Sequence, residues 1–144
     1  MHSVRWLAII LVMLTASGLS ITNIQHPPPG PIPATVMAPH GLLPSIVHQI
    51  DRETVDAYAA ALSHPDVLAS VPCTCGCMTV LDHKDNLDCY IDDVLPDGTV
   101  AFSTHGLYCL VCQWITRDAL EGASAGLDAE TLTRLIMERS GPHS

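Results

Sequence analysis

The sequence has few basic residues, few aromatic residues and, over its first half, no cysteine. Lysine and arginine number 6 against 15 acidic residues, a formal net charge of −9. This balance argues against a nucleic-acid partner, because nucleic acids are bound through basic side chains. Only six of the 144 residues are aromatic, so the core must rely on aliphatic side chains. A thin core of this kind commonly gains stability from disulfides or a bound metal.

Several catalytic and cofactor signatures are also missing. The sequence contains no phosphate-binding loop, and spacing alone assembles no nucleophile, base and orienting acid, so we do not expect an enzyme. Covalent haem attachment needs Cys-x-x-Cys-His, but Gln113 follows the Cys-x-x-Cys pair. The acidic residues between 82 and 93 lack the ligand spacing of an EF-hand, and we interpret them as a solvated surface.

The N-terminus has the pattern of an export signal. A short basic start is followed by the apolar stretch 6–14 and then by small residues up to Gly18. An uncleaved anchor across residues 6–24 is the alternative, because roughly 20 residues cross a bilayer. No cysteine precedes Cys73, which excludes attachment through a lipid-modified cysteine. Residues 1–20 therefore predict an extracytoplasmic protein, either secreted or attached to the membrane only by this segment.

The next segment is rich in proline. Most of the chain's eleven prolines lie between residues 26 and 44. Proline fixes φ and favours the extended polyproline form, so we interpret residues 21–48 as a linker that holds the domain away from a membrane or partner. Residues 49–144 then form one cysteine-rich domain, because this length suits a single core.

Helical patterns predict the fold class of that domain. Four helices are indicated by capping residues, proline or apolar periodicity, and they start near Asp51, Pro65, Leu107 and Asp128. Residues 86–91 predict a short helix, and residues 99–103 a short extended piece. We therefore expect a mainly α protein: a small single-domain helical bundle with irregular cysteine-rich loops, preceded by the signal or anchor and the linker.

The cysteines are concentrated in a few motifs. They are Cys73, Cys75, Cys77, Cys89, Cys109 and Cys112. The first three lie in one short stretch, where either a strand or a loop hinged at Gly76 would turn their thiols to one side. Cys109 and Cys112 are one helical turn apart, on a different side of the helix from an apolar stripe that includes Trp114. We expect Trp114 to face the core and the cysteine pair to face something else.

Three uses of these thiols are open. The first is a disulfide framework for a structural or interaction domain at the cell surface, although bridges within 73–77 would be cramped. The second is thiol-disulfide redox chemistry at Cys109 and Cys112, which lacks its usual βαβ setting. The third is a metal site, in which six thiolates exceed the four ligands of one zinc ion and suit copper(I) better.

We favour the metal site, with copper(I) as the ion and zinc as the alternative. His83 and His105 lie near the cysteines in sequence, and each is either a ligand or a surface residue. The predicted ligands are Cys73, Cys75, Cys77, Cys89, Cys109, Cys112, His83 and His105. Such a protein would buffer or carry copper(I), and its partners would be the ion and another exported metal-handling protein.

The motifs together resemble those of the PCYCGC-motif family of exported bacterial proteins, many of them lipoproteins. The resemblance covers about residues 55–138. It is carried by Pro72–Cys77, His83–Cys89, Asp97-Gly98, His105-Gly106, Cys109-x-x-Cys112 and Ile115–Ala119. Thr74 replaces the family's tyrosine, Met78 stands where glycine is usual, and the lipobox cysteine is missing. The resemblance implies a small helical exported domain in which six cysteines and two histidines form one site.

Overall fold

The structure, a computed structural model, describes residues 31–140. The strands are β1 (Thr35–Pro39), β2 (Ile91–Val94) and β3 (Thr99–Ser103). The α-helices in this part of the chain are α1 (Arg52–Ser63), α2 (Pro65–Ala69), α3 (Cys77–Val80), α4 (Leu110–Ser124) and α5 (Ala129–Ser140). None of the helices between residues 31 and 140 is both long and apolar enough to cross a membrane. The predicted signal or anchor lies outside the described residues.

The expected mainly α bundle is wrong, because the domain contains an antiparallel sheet in the order β1-β3-β2. The fold is therefore mixed α/β. The extended piece predicted at 99–103 is the central strand, and a turn with Gly98 at a φ of +83° joins it to β2. Its two neighbours are edge strands whose residue types do not alternate clearly between apolar and polar: β2 is mostly exposed and acidic, and β1 lies among prolines. Neither has the apolar pattern by which strands are recognised.

Strand β1 also places the start of the domain earlier than predicted. It lies within the segment 21–48 that the prolines predict to be a linker, yet all five of its residues pair with β3. An edge strand can end in proline, because the missing N–H there need not face a neighbour. Val47, in a short 3-10 helix, is fully buried. The folded part of the chain thus includes residues well before 49.

Three of the four predicted helix starts are confirmed, whereas the helix expected from Leu107 begins at Leu110 as α4. The Asp51 carboxylate accepts a hydrogen bond from the backbone N–H of Thr54 at 2.8 Å, at the start of α1. Pro65 is the first residue of α2. The Asp128 carboxylate accepts from the N–H of Thr131, also at 2.8 Å, at the start of α5. Such caps stabilise a helix by roughly 0.5–2 kcal/mol each and set where it begins.

The orientation predicted for helix α4 is wrong in part: Ile115 of the apolar stripe is buried, but Trp114 and Leu110 are not. Its buried residues are Cys112, Gln113, Ile115, Thr116 and Ala119. Trp114, which the apolar stripe predicts in the core, is 50% exposed, and Leu110 is 52% exposed. The prediction was wrong because it did not count cysteine among the core residues, whereas a thiol is buried as readily as a small hydrophobic group. The cysteine side of α4 is its buried side.

Two hydrophobic clusters stabilise the domain. The larger contains Tyr58, Tyr90 and Phe102 together with four of the cysteines. The rings of Tyr58 and Tyr90 meet edge to face with their centroids 5.0 Å apart, an arrangement favoured by the ring quadrupoles. The smaller cluster is mainly aliphatic and joins α4 to α5 through Val71, Ile115, Ala119, Leu132 and Ile136. The cysteines therefore belong to the main core of the protein.

Candidate metal centre

Four cysteines from four parts of the chain meet in the core. They are Cys73 after α2, Cys77 at the start of α3, Cys89 at the end of the 3-10 helix Leu87–Cys89, and Cys112 in the first turn of α4. Each is between 0 and 4% exposed. The Sγ of Cys73 lies 3.3 Å from the Sγ of both Cys77 and Cys89, and 3.5 Å from that of Cys112. Cys73 is thus the central sulfur of the cluster.

The loop that carries the first three cysteines turns at Gly76. This residue has a φ of +90°, in the left-handed region that glycine occupies without a steric cost. The turn allows Cys77 to begin α3 while Cys75 stays beside Cys73, with their Sγ atoms 3.2 Å apart. Of the two arrangements that the sequence left open, a strand and a hinged loop, the structure has the loop.

Both predicted histidines lie beside the sulfurs. The Nε2 of His105 is 3.5 Å from the Sγ of Cys75, and the Nδ1 of His83 is 3.6 Å from the Sγ of Cys89. Their ring centroids are 5.3 Å apart and the rings are nearly perpendicular. The two imidazoles, separated by 22 positions in the chain, therefore approach the same cluster from neighbouring directions.

Gly106 allows His105 to come this close. A Cβ atom at Gly106 would lie 2.5 Å from the Cδ1 of Tyr90 and 2.8 Å from the carbonyl oxygen of Cys89, which is closer than real Cβ atoms approach. Without a side chain, the 3-10 helix His105–Leu107 packs directly against this part of the core. The His-Gly pair of the sequence thus has a physical reason: the glycine makes room for the histidine.

The ligand atoms fall into three overlapping groups that could hold a metal ion. The sulfur group consists of Cys73, Cys75, Cys77, Cys89 and Cys112. The second group consists of Cys75, His105, Cys109 and Cys112, and the third of Cys77, His83, Cys89 and His105. Within each group the ligand atoms lie within 4.8 Å of one another. The structure therefore brings together all eight residues that the sequence singles out, and no ninth residue between positions 31 and 140 joins these groups.

The distances suit shared metal ions. Two sulfurs bound to one ion at about 2.3 Å with tetrahedral angles are about 3.8 Å apart, and the shortest and longest contacts among the buried sulfurs are 3.0 and 3.9 Å. All six cysteines are free thiols, unlike a disulfide with its bond of about 2.05 Å. Because each group shares members with the other two, bridging thiolates and more than one ion fit the geometry.

The Cys112 thiol lowers the pKa of two neighbouring cysteines. As a hydrogen-bond donor it holds the pKa of Cys73 well below its usual range and lowers the pKa of Cys109 to about 5, and its single proton serves one of the two at a time. Burial raises the pKa of Cys77 and of Cys75. Proton loss is therefore easiest at Cys73 and Cys109, and a cation bound among the sulfurs would replace the protons of the remaining thiols.

A buried polar network behind the cluster was not foreseen from the sequence. The side-chain amide of Asn86 donates to the carbonyl oxygen of Cys112 at 3.2 Å, and the Thr116 hydroxyl lies 2.7 Å from the Asn86 side-chain oxygen. The same hydroxyl is 2.9 Å from that of Tyr90. The Gln113 side chain donates to the Gly106 carbonyl at 3.0 Å. The sequence does contain one indication of this network: Gln113 and Thr116 lie on the same side of α4 as Cys112.

One side of the cluster opens into a surface groove of about 750 Å³. His83, His105 and Cys109 line its floor, together with the exposed Tyr108 and Leu81. The four buried cysteines are not among its lining residues. The candidate site therefore has a closed side made of sulfur and an open side made of imidazole and thiol.

Comparison with known proteins supplies the family. Over residues 7–141 the chain matches the family described as protein of unknown function with PCYCGC motif. The chain belongs to this family. Neither a curated protein sequence nor a solved structure matches it.

In this member of the PCYCGC-motif family, Thr74 stands at the tyrosine position of the motif. The Thr74 hydroxyl is buried and has no hydrogen-bond partner among the described residues. Met78, at the position where the resemblance implies glycine, is 46% exposed. With threonine and methionine at these positions, the motif's three cysteines converge on one cluster.

Proposed function

We propose that this protein binds copper(I) in a thiolate cluster of more than one ion and acts outside the cytoplasm as a copper(I) buffer or carrier. The observation that carries the proposal is the convergence of six sulfurs and two imidazoles in three overlapping groups. Thiolate is the ligand that soft cations such as copper(I) select. A protein that only needed thiols as core filler would not require them to meet at one point.

The choice of copper(I) over zinc rests on ligand number and type. A structural zinc site is closed by four ligands, whereas the five cysteines of the sulfur group already exceed that number. All members of the three groups are cysteine or histidine, and none is a carboxylate. Burial of four cysteines to between 0 and 4% exposure would also protect copper(I) from water and oxidants. A zinc ion would be bound by only four of these ligands, so the remaining thiols would have no metal to bind.

The extracytoplasmic role is supported by the sequence and by the charge of the chain. The apolar stretch 6–14 followed by small residues is typical of an export signal. The net charge of −9 attracts cations to the protein surface. Storage or transfer of an ion requires only that it be bound and released, which agrees with a site that contains many soft ligands.

The test is an anaerobic titration of the purified, fully reduced protein with copper(I). Thiol titration of the denatured protein should find six free thiols, and elemental analysis after loading should find more than one copper ion per chain. Cys73→Ser should lower the copper content by about half or more, because a serine oxygen is a hard ligand and Cys73 contacts all the other buried sulfurs.

Met78→Ser is the matched control. It also replaces a sulfur-containing side chain by serine, one residue from Cys77, but Met78 is exposed and outside the three groups. Its copper content should equal that of the unmodified protein. Failure of the reduced protein to bind copper(I), or equal copper content in Cys73→Ser and Met78→Ser, would rule out the proposed cluster.

One observation favours a second candidate function, thiol-disulfide exchange. Cys109 is the N-cap residue of the 15-residue helix α4, and Cys112 lies in its first turn. A Cys-x-x-Cys pair at a helix N-terminus is the arrangement that redox-active proteins use, since the helix dipole stabilises a thiolate there. Under this alternative, oxidised protein would contain one reversible disulfide between these two residues, and it would oxidise a dithiol substrate to a disulfide while its own two thiols are regenerated, without binding copper(I).

A further inference from the structure

The metal centre is not uniform, and its asymmetry points to the route by which an ion enters. Cys73, Cys77, Cys89 and Cys112 are almost fully buried, and we call them the buried subsite. Cys75, His105 and Cys109 are only half-buried, and we call them the mouth subsite. The residues of the mouth subsite belong to one of the groups that could hold an ion. An ion could therefore be bound there before it reaches the interior.

The surface groove makes the mouth subsite the accessible end. Its volume of about 750 Å³ lies within the range of roughly 300–1,000 Å³ that small-molecule sites occupy. His105 and Cys109 of the mouth subsite line it, as do His83 and Asp92, whereas Cys75 is not a lining residue and is reached through His105. No cysteine of the buried subsite is in contact with this groove. A copper(I) complex of small-molecule size could enter the groove and meet imidazole and thiol first.

A continuous series of short contacts leads from the groove inwards. The Nε2 of His105 is 3.5 Å from the Sγ of Cys75. Cys75 in turn contacts Cys73 at 3.2 Å and Cys112 at 3.6 Å. Each step is shorter than the roughly 3.8 Å that separates two sulfurs bound to one ion. An ion can therefore bind its next ligand before it leaves the previous one.

The ligand types give the series a direction. The mouth subsite includes an imidazole, which is a harder ligand for copper(I) than a thiolate. The buried subsite consists of sulfur alone and is closed to water. Copper(I) is therefore expected to bind more weakly and exchange faster at the mouth, and more tightly in the interior.

We propose that copper(I) enters and leaves this protein through the mouth subsite of Cys75, His105 and Cys109, which receives the ion from a small-molecule complex in the groove and passes it to the buried sulfurs. This inference rests on the proposed function. Each step is a ligand exchange: a bond from copper to the incoming imidazole or thiolate forms and a bond to the carrier's donor atom breaks. Copper remains copper(I), and every thiol that binds it releases its proton to solvent or to the departing carrier.

The experiment measures the rates of loading and removal on the full-length, reduced protein under anaerobic conditions. Loading is followed by loss of colour from the copper(I)–bicinchoninate complex, and removal by colour gain on mixing with bathocuproine disulfonate. His105→Ala should slow both rates on the order of tenfold, and equilibrium copper content should fall by no more than one ion. His48→Ala is the matched control, because His48 is exposed and lies outside the groups.

The outcomes separate the two proposals. If the unmodified protein binds no copper(I), the proposed function fails and the entry route fails with it. If it binds copper(I) and His105→Ala exchanges at the unmodified rate, the entry route alone is overturned. Loss of all copper from His105→Ala would also overturn it, since the histidine would then be an essential ligand of the whole cluster. Slow exchange in Cys109→Ser as well would support the assignment of the mouth to both residues.

Discussion

The two halves of the core differ in what their buried groups can do. The cluster between α4 and α5 is mainly aliphatic, and each side chain of this kind contributes about 1.5–3 kcal/mol by leaving water. The larger cluster mixes aromatic rings with four thiols, which bury favourably and also bind soft ions. The stability of the first region should thus be independent of metal, whereas that of the second should depend on what its thiols bind.

Helix α4 belongs to both regions. Ile115 and Ala119 pack in the aliphatic cluster, while Cys112 packs among the thiols. Because one rigid helix spans both, the aliphatic cluster holds α4 in the position that presents Cys112 to the other sulfurs. The comparison therefore suggests that one region supplies a scaffold that is already folded and the other supplies a site that the metal completes.

Removal of copper should have the largest effect. At free copper(I) a thousandfold above Kd, binding to the folded state adds about 4 kcal/mol to the free energy of unfolding. For a domain of this size that corresponds to an increase in Tm of about 15–30 °C. Thermal melts of loaded and metal-free protein followed by circular dichroism would measure it. Equal Tm values would contradict the view that the thiol region depends on metal.

Leu132→Ala should have the next largest effect, and only on the scaffold. Leu132 is 4% exposed in the aliphatic cluster, and truncation of a buried leucine costs about 2–5 kcal/mol. Urea unfolding of the metal-free protein should show this loss, while copper content and the Tm gain on loading stay unchanged. A variant that is destabilised and also binds fewer ions would show that the two regions are coupled.

Thr116→Val should lower the free energy of unfolding by less, but it should also weaken copper(I) binding. The substitution keeps the shape of the side chain but removes the hydroxyl beside Asn86 and Tyr90, at a cost of about 1–3 kcal/mol. Because Asn86 holds the carbonyl of Cys112, copper(I) affinity should also fall. Thr133→Val on α5, whose hydroxyl donates to the Ser70 carbonyl at 3.2 Å, is the control and should leave copper affinity unchanged.

Leu110→Gln should have the smallest effect. Leu110 belongs to the apolar stripe of α4 but is 52% exposed, and glutamine has nearly the same helix propensity as leucine. The free energy of unfolding should change by no more than about 0.5 kcal/mol. Ile115→Gln, on the buried side of the same helix, should be severely destabilised. Equal losses in both variants would show that Leu110 packs against the core after all.

The helix starts and the site residues were accessible to sequence reasoning because they depend on local chemistry. Asp51, Pro65 and Asp128 act through groups within a few residues of themselves, so the caps could be identified without the fold. The cysteine and histidine motifs are likewise local patterns. The eight residues that they single out are the eight that the structure brings together.

The sheet could not be predicted from the sequence in the same way. Strand β3 was expected as an extended piece, but its neighbours come from an acidic stretch and a proline-rich stretch that resemble surface and linker. A strand is stable only when it pairs with a neighbouring strand, and the pairing between residues 35 and 103 cannot be predicted from the local composition. The fold class was therefore mistaken although most of the helices were found.

The motifs alone thus established the family, the cysteine-histidine set and the positions of the helix caps. Only the tertiary structure decided that the thiols are the core, that α4 turns Cys112 inward and Trp114 outward, and that the cluster has a closed side and an open side. The physical reason is that burial is a property of the whole fold. The type of a residue determines what its side chain can bind. The surrounding helices and strands determine whether that side chain contacts sulfur, water or an aliphatic group.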